Sequence, residues 1–267
     1  MIGTASVLPY LVAVKSLRHW LGSGRVVLLD DGTLTGADQA VLHHHCNAPP
    51  IVSASIGTGQ DTPKGGCWER LLTLLDLAQS AYVIQLDSDT LTLGPVPEVR
   101  AALEDHRPFT LCGGPDSAFL PVVQAARQAR AGMTEATAHI QSRAEAVLDQ
   151  MACSPKNGGP FYVRGCAAFA GFPPGQISPA DACAFSKAAE QLLGQRWHEW
   201  GSEQVTSNFL IANAPNPVLL RAPDYDNHWR QDMAAARFAH FPGTHRYAAG
   251  QYAALVRRVV AQLAQGD

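Results

Sequence analysis

The chain has 267 residues, 46% of them hydrophobic and 16% charged, with a formal net charge of −3. That length can bury a substantial core as one large domain, or one domain with an insertion, and the slight negative balance argues against a nucleic-acid partner held on a basic surface. No uninterrupted apolar stretch reaches the length of a membrane span, and Met1 to Tyr10 lacks the basic start of a signal peptide. The six cysteines, at 46, 67, 112, 153, 166 and 183, form no Cys-x-x-Cys pair and no dense framework, which favours reduced thiols and a cytoplasmic setting.

Residues 7–21 read as a helix, and 26–29 as a buried strand that runs into an Asp30-Asp31-Gly32 turn; Thr33 or Thr35 then caps a helix over 37–46. The stretch VVLLDDGT resembles the Asp-x-Asp-Gly-Thr opening of the haloacid dehalogenase phosphatases, but the nucleophile position, three residues before the glycine, holds Leu29. Leucine cannot take a phosphoryl group. A slip of one residue along the strand would aim Asp30 at the opposite face, so the turn reads as structural. A short strand at 50–54, a helix at 67–79 and a buried strand at 81–86 (AYVIQL) follow. Residues 117–152 are rich in Ala, Gln and Arg with helical periodicity and read as a helical insertion or hairpin. After them come a Gly/Pro-rich loop at 154–160, the apolar FYVRGCAAFAGF, and helices at about 180–194, 202–212 and 248–264. Short apolar strands alternating with helices indicate an α/β fold whose mainly parallel sheet is covered on both faces.

The chemistry concentrates where the run at 81–86 ends, in Asp87-Ser88-Asp89. Ligands of open parallel sheets bind outside the carboxyl ends of the strands, and two carboxylates one residue apart can share a hard divalent cation of the kind a diphosphate leaving group needs. Taken alone, the same three residues also fit a solvated strand-to-loop turn.

Three further elements, with Asp87-Ser88-Asp89, resemble the retaining glycogenin-like and bacterial galactosyltransferase families of the glycosyltransferase type A fold. His240-Phe241-Pro242-Gly243-Thr244-His245-Arg246 is similar to their His-x-x-Gly-x-x-Lys element, with Arg246 at the lysine position. Glu203-Gln204 with Asn208 is similar to their Asp-Gln-x-x-x-Asn, and Arg70 lies 17 residues before Asp87 where they carry a basic residue. The resemblance implies a single Rossmann-like domain over 1–267, with the helical insertion at about 117–152. It also implies Mn²⁺ or Mg²⁺ on Asp87, Asp89 and His240, and phosphate contacts from Gly243 and Arg246. Glu203 and Gln204 take the catalytic position beside the donor sugar, and Arg70 and Asn208 contact the substrate. Arginine keeps the charge of the family lysine but presents a planar fork. The function implied is metal-dependent transfer of a sugar, with retention, from a nucleotide-sugar donor to an unknown acceptor: glycan, protein or small molecule.

Plainer readings stand beside these. Glu203 and Gln204 also fit the first turn of a helix capped by Ser202, Arg70 a surface arginine, and His43-His44-His45 a solvated helix end, since adjacent helical residues diverge in direction. His245 has no role in the family pattern. The family fold opens with a strand that holds the nucleotide base, whereas here that strand is absent or confined to Met1–Thr4. Two alternatives therefore stay open: a non-catalytic nucleotide- or carbohydrate-binding relative with a degenerate donor site, and a metal-dependent nucleotidyltransferase, which lacks its basic Gly-rich loop here.

Overall fold

The computed structural model describes residues 1–53, 62–134, 139–152, 160–227, 233 and 235–265. In chain order, α1 (Val7–Leu21) ends where Gly22 takes φ +84°, a left-handed stop that glycine adopts without strain. Strand β1 (Leu28–Asp30) leads through the acidic turn to α2 (Gly36–Cys46). Thr35 and Asp38 form a reciprocal capping box at the start of α2. Then follow β2 (Ile51–Ser53), α3 (Trp68–Leu77), β3 (Val83–Leu86), β4 (Thr90–Thr92), α4 (Pro97–Glu104) and β5 (Phe109–Cys112). The stretch expected to be a helical insertion opens with a strand, β6 (Leu120–Pro121), before α5 (Val122–Gly132) and α6 (Ile140–Glu145). Apart from Pro160, the expected loop at 154–160 lies outside the described residues. Strands β7 (Phe161–Tyr162) and β8 (Gly165–Phe172) precede α7 (Pro179–Leu193), α8 (Ser202–Ala212), β9 (Val218–Leu220), β10 (Tyr225–Asp226), β11 (Phe238–His240) and α9 (Gln251–Gln265).

Ser202 is not the cap of α8, as the sequence suggests. Gly201 holds that position at φ +103°, and a Cβ there would lie 2.6 Å from the His139 ring. Both the backbone conformation and the space exclude a side chain, so Ser202 becomes the first helical residue.

The strands form small sheets of mixed orientation rather than one mainly parallel sheet. β1 and β2 are parallel, and Ile2 bridges Asp30 in the same sense, which leaves the expected opening strand as a single bridge. A three-stranded sheet has the order β10-β11-β4, with β11 parallel to β10 and antiparallel to β4. The largest sheet has the order β3-β8-β5-β9, with β5 and β8 antiparallel and their register shifted between Thr110 and Leu111. β6 and β7 make an antiparallel pair. Apolar runs of two to four residues identify strands but carry no information about their partners.

By their contacts the residues group into two compact units, the first from Met1–Ala54, Gln85–Ala101 and Leu220–Asp267, the second from Ser55–Ile84 and Ala102–Leu219. Two apolar clusters lie among the described residues of the first unit. One joins Ile2, Leu11 and Val14 to Leu28 and Leu42; the other joins Leu91 and Leu93 to Ala239, Phe241 and Val259. The second unit is built around α8, every residue of which is buried except the half-buried Gln204. Trp68, Phe172, Phe185, Trp197 and Phe209 pack there. The two buried indole N–H groups donate to Ser202 Oγ at 2.8 Å and Ser186 Oγ at 3.0 Å, so neither ring leaves an unmet donor in the core.

Candidate functional site

The first unit brings Asp87, Asp89 and His240 together. β3 ends at Leu86, Asp87 follows directly, and Thr90 Oγ donates back to the Asp87 carbonyl at 2.8 Å, closing a tight turn into β4. Antiparallel pairing then sets Thr90 opposite His240, and Phe241 N–H donates to the Asp89 carbonyl at 2.9 Å. Sheet register alone thus carries a histidine from far along the chain to the carboxylate turn. One ligand atom from each of the three side chains lies within 4.8 Å of the others. His240 is 5% exposed.

The histidine is held by a residue that sequence reasoning missed. β10 runs parallel to β11 with Asp226 opposite Ala239, so Asn227 falls beside His240. The Asn227 side-chain oxygen lies 2.6 Å from Nδ1, and Asp89 Oδ1 lies 3.4 Å from Nε2. When Nδ1–H donates to Asn227, the Nε2 lone pair faces the carboxylates, the tautomer a cation ligand needs. When no cation is bound a proton on Nε2 takes that place: burial pushes the Asp89 carboxyl up, but the hydrogen bond and charge that a protonated His240 supplies, with the charge of Arg246, outweigh it and hold the group below its ordinary value. Two carboxylates and an imidazole so oriented form a group able to hold a metal ion, with the carboxylates suited to hard divalent cations. Gly243 takes φ +56° at the start of the 3₁₀ turn Gly243–Tyr247, and Arg246 Nε donates to its carbonyl at 3.2 Å. His245 is exposed in the same turn.

The second unit brings together the other predicted residues. Arg70 on α3 meets Glu203 on α8, Nη2 to Oε1 at 3.4 Å, so the basic and acidic candidates pair with each other. Gln204 and Asn208, one helical turn apart, tie α8 to β8. Ala167 N–H donates to Gln204 Oε1 at 3.0 Å, and Asn208 Nδ2 donates to the Gly165 carbonyl at 3.1 Å. Gly165 permits this approach, since a Cβ there would stand 2.6 Å from Asn208 Oδ1. Gln204 Nε2 continues to Gln141 Oε1 at 3.2 Å, and Gln141 Nε2 to Glu145 Oε1 at 3.3 Å.

The chain matches no known protein family and no curated protein. The remaining sequence candidates resolve as local structure. His43, His44 and His45 are exposed in the last turn of α2. Asp30 accepts from Gly32 N–H at 2.8 Å and Asp31 from Thr33 N–H at 2.9 Å, as in side-chain-stabilised turns. No described helix is long and apolar enough to cross a membrane, and none of the five described cysteines forms a disulfide.

Proposed function

We propose that the protein transfers a sugar from a nucleotide-sugar donor to an acceptor, using a divalent cation held by Asp87, Asp89 and His240, in a reducing cytoplasmic setting. The observation that carries this reading is the orientation of His240. Asn227 takes one ring nitrogen and leaves the other facing two carboxylates, an arrangement that stabilises a bound cation and is repulsive without a cation or proton between its members. Such a cation supplies Lewis-acid stabilisation of a departing diphosphate. Arg246, whose charge already reaches Asp89, adds a fixed donor to the same phosphates. The family resemblance assigns the donor sugar to Glu203 and Gln204, supported by Asn208 and Arg70, and assigns retention of configuration.

A second reading, a binding protein without transfer, is favoured by one observation. Arg70 engages Glu203, and both ends of the Gln204 amide are occupied within the second unit. Calorimetric titration of uridine and guanosine diphosphates with and without Mn²⁺ tests the part common to both readings. We expect affinity that depends on metal and is lost in an Asp89→Ala variant that still folds cooperatively, because the aspartate sits at a strand end outside the apolar clusters. Equal diphosphate affinity in parent and variant would end the metal assignment. Donor turnover then separates transferase from binder.

A further inference from the structure

Within the second unit a cavity of about 380 Å³ opens between α5, α6 and the loop after β5, within the range of small-molecule sites, roughly 300 to 1,000 Å³. Its described lining is two-faced. Leu120, Ala129 and Met133 form an apolar wall, while Asp116, Gln128, Glu145 and Arg164 present charges and amides. The polar side is built rather than incidental. Glu145 is only 4% exposed, and its carboxylate accepts from Tyr162 OH at 2.9 Å, Gln141 Nε2 at 3.3 Å and Arg164 Nη1 at 3.0 Å. That grip fixes the guanidinium, whose side chain stays 45% exposed. Arg164 Nη2 also reaches Ser142 Oγ at 3.5 Å.

We propose that this cavity is a binding site for a neutral mono- or disaccharide, held through its hydroxyls by Arg164, Gln128 and Asp116 with its C–H face on the apolar wall. Charge and shape select that class. Among the described lining residues Arg164 and Glu145 offset each other and Asp116 leaves an excess negative charge, which disfavours phosphate or carboxylate ligands. Tyr162 is the one aromatic in the described lining, and it is 2% exposed, so no aromatic cage waits for an organic cation. Hydroxyl groups, each donor and acceptor at once, match an arginine, an amide and a carboxylate side by side. The cavity is also joined to the predicted catalytic pair inside the same unit. The chain Glu145, Gln141, Gln204 runs through two amide hydrogen bonds and is pinned at its far end by Ala167 N–H. As the acceptor pocket, the cavity rests on the transferase reading; as a saccharide site, it stands without it.

The test is saturation-transfer NMR on the full chain with maltose and with lactose, free of metal and nucleotide. We expect transfer to the ring protons of at least one sugar. Ala129→Trp fills the cavity from α5 without touching the Glu145 hydrogen bonds and should weaken binding by at least about tenfold, and Gln128→Ala by about threefold to tenfold. No transfer to either sugar, or undiminished transfer in a folded Ala129→Trp, overturns the proposal. Should that variant not fold, undiminished transfer in Gln128→Ala overturns it. Disaccharide binding without metal-dependent diphosphate affinity keeps the pocket and loses the transferase; the reverse loses the pocket alone.

Discussion

Asp89 and Glu145 are both sunk below the surface, one in each unit, and burial pushes both carboxyls upward. They end on opposite sides of the ordinary value. Asp89 is held low by His240 and Arg246, whereas Glu145 stays raised although Arg164, Tyr162 and Gln141 all pull it down. The difference lies in what faces each oxygen. Glu145 is surrounded by donors, which complete its hydrogen bonding and make it a fixed wall for a cavity. Asp89 shares its space with a second carboxylate and a histidine already committed to Asn227. A buried acid whose donors are all supplied is architecture; one held low by the charges beside it stands where a cation, under the proposed reading, can replace a proton.

The sharpest way to break the contrast is at Arg246, the second cation acting on Asp89. Replacing it with alanine should cost on the order of 10² to 10³ in kcat if it grips phosphate as charge develops, while Arg246→Lys keeps much of the turnover because the charge is retained. Steady-state donor hydrolysis by the three proteins decides, and near-equal rates would reduce the residue to a solvated loop arginine.

The corresponding change beside Glu145 should act on stability instead. Arg164→Met leaves a buried carboxylate without its counter-ion, at a cost of about 2 to 3 kcal/mol near neutral pH. A carboxyl raised in the folded state binds its proton more tightly there than in the unfolded chain. Its contribution therefore improves as pH falls from above the raised value toward the ordinary one, and the variant should recover on acidification. Asp89 has the opposite sign: its stabilisation is present above the ordinary carboxylate value and is lost as pH falls through its depressed one. Urea midpoints of parent and Arg164→Met, followed from about pH 7 to pH 5, should converge. A gap that holds constant would show that Glu145 does not titrate in this window.

The smallest effect tests the tautomer. Asn227→Leu leaves Asp87, Asp89 and His240 in place and removes only the group that orients the ring, so Mn²⁺ affinity should fall by about 10-fold, with 100-fold as the upper bound for such partners. Calorimetry with Mn²⁺ alone measures it, and an unchanged affinity would detach Asn227 from the site.

Much of the helical skeleton was legible from the chain. The period of 7–21, a threonine cap at Thr33 or Thr35 and the run at about 180–194 placed helices within a residue or two, because these signals act over neighbouring positions. Asp87, Asp89 and His240 were legible for another reason, since strand-end carboxylates and a histidine spaced from glycine and arginine form a recognisable pattern. Asn227 was not. Its role comes from standing beside His240 across a parallel pair of strands, and Tyr225-Asp226 is too short a run to announce a strand. Glu145 and Arg164 escaped likewise: one lies in an Ala-rich helical stretch and the other in the link between β7 and β8, and only the tertiary fold makes them an ion pair. Pairing between distant segments leaves little trace in local composition, which is also why the sheet read as mainly parallel.

The discontinuity of the first unit bears on when the protein becomes able to work. Its three segments are separated by the whole of the second unit, and the β4–β11 ladder that joins Asp89 to His240 closes the longer of the two gaps. A nascent chain meets the entropy of that closure before any reward arrives. A ribosome stalled before β11 therefore displays both aspartates with no imidazole beside them, however well the intervening unit has already folded. Under the proposed metal assignment, cation capture would wait for β11, and a product cut short upstream of it would lack the histidine of the site.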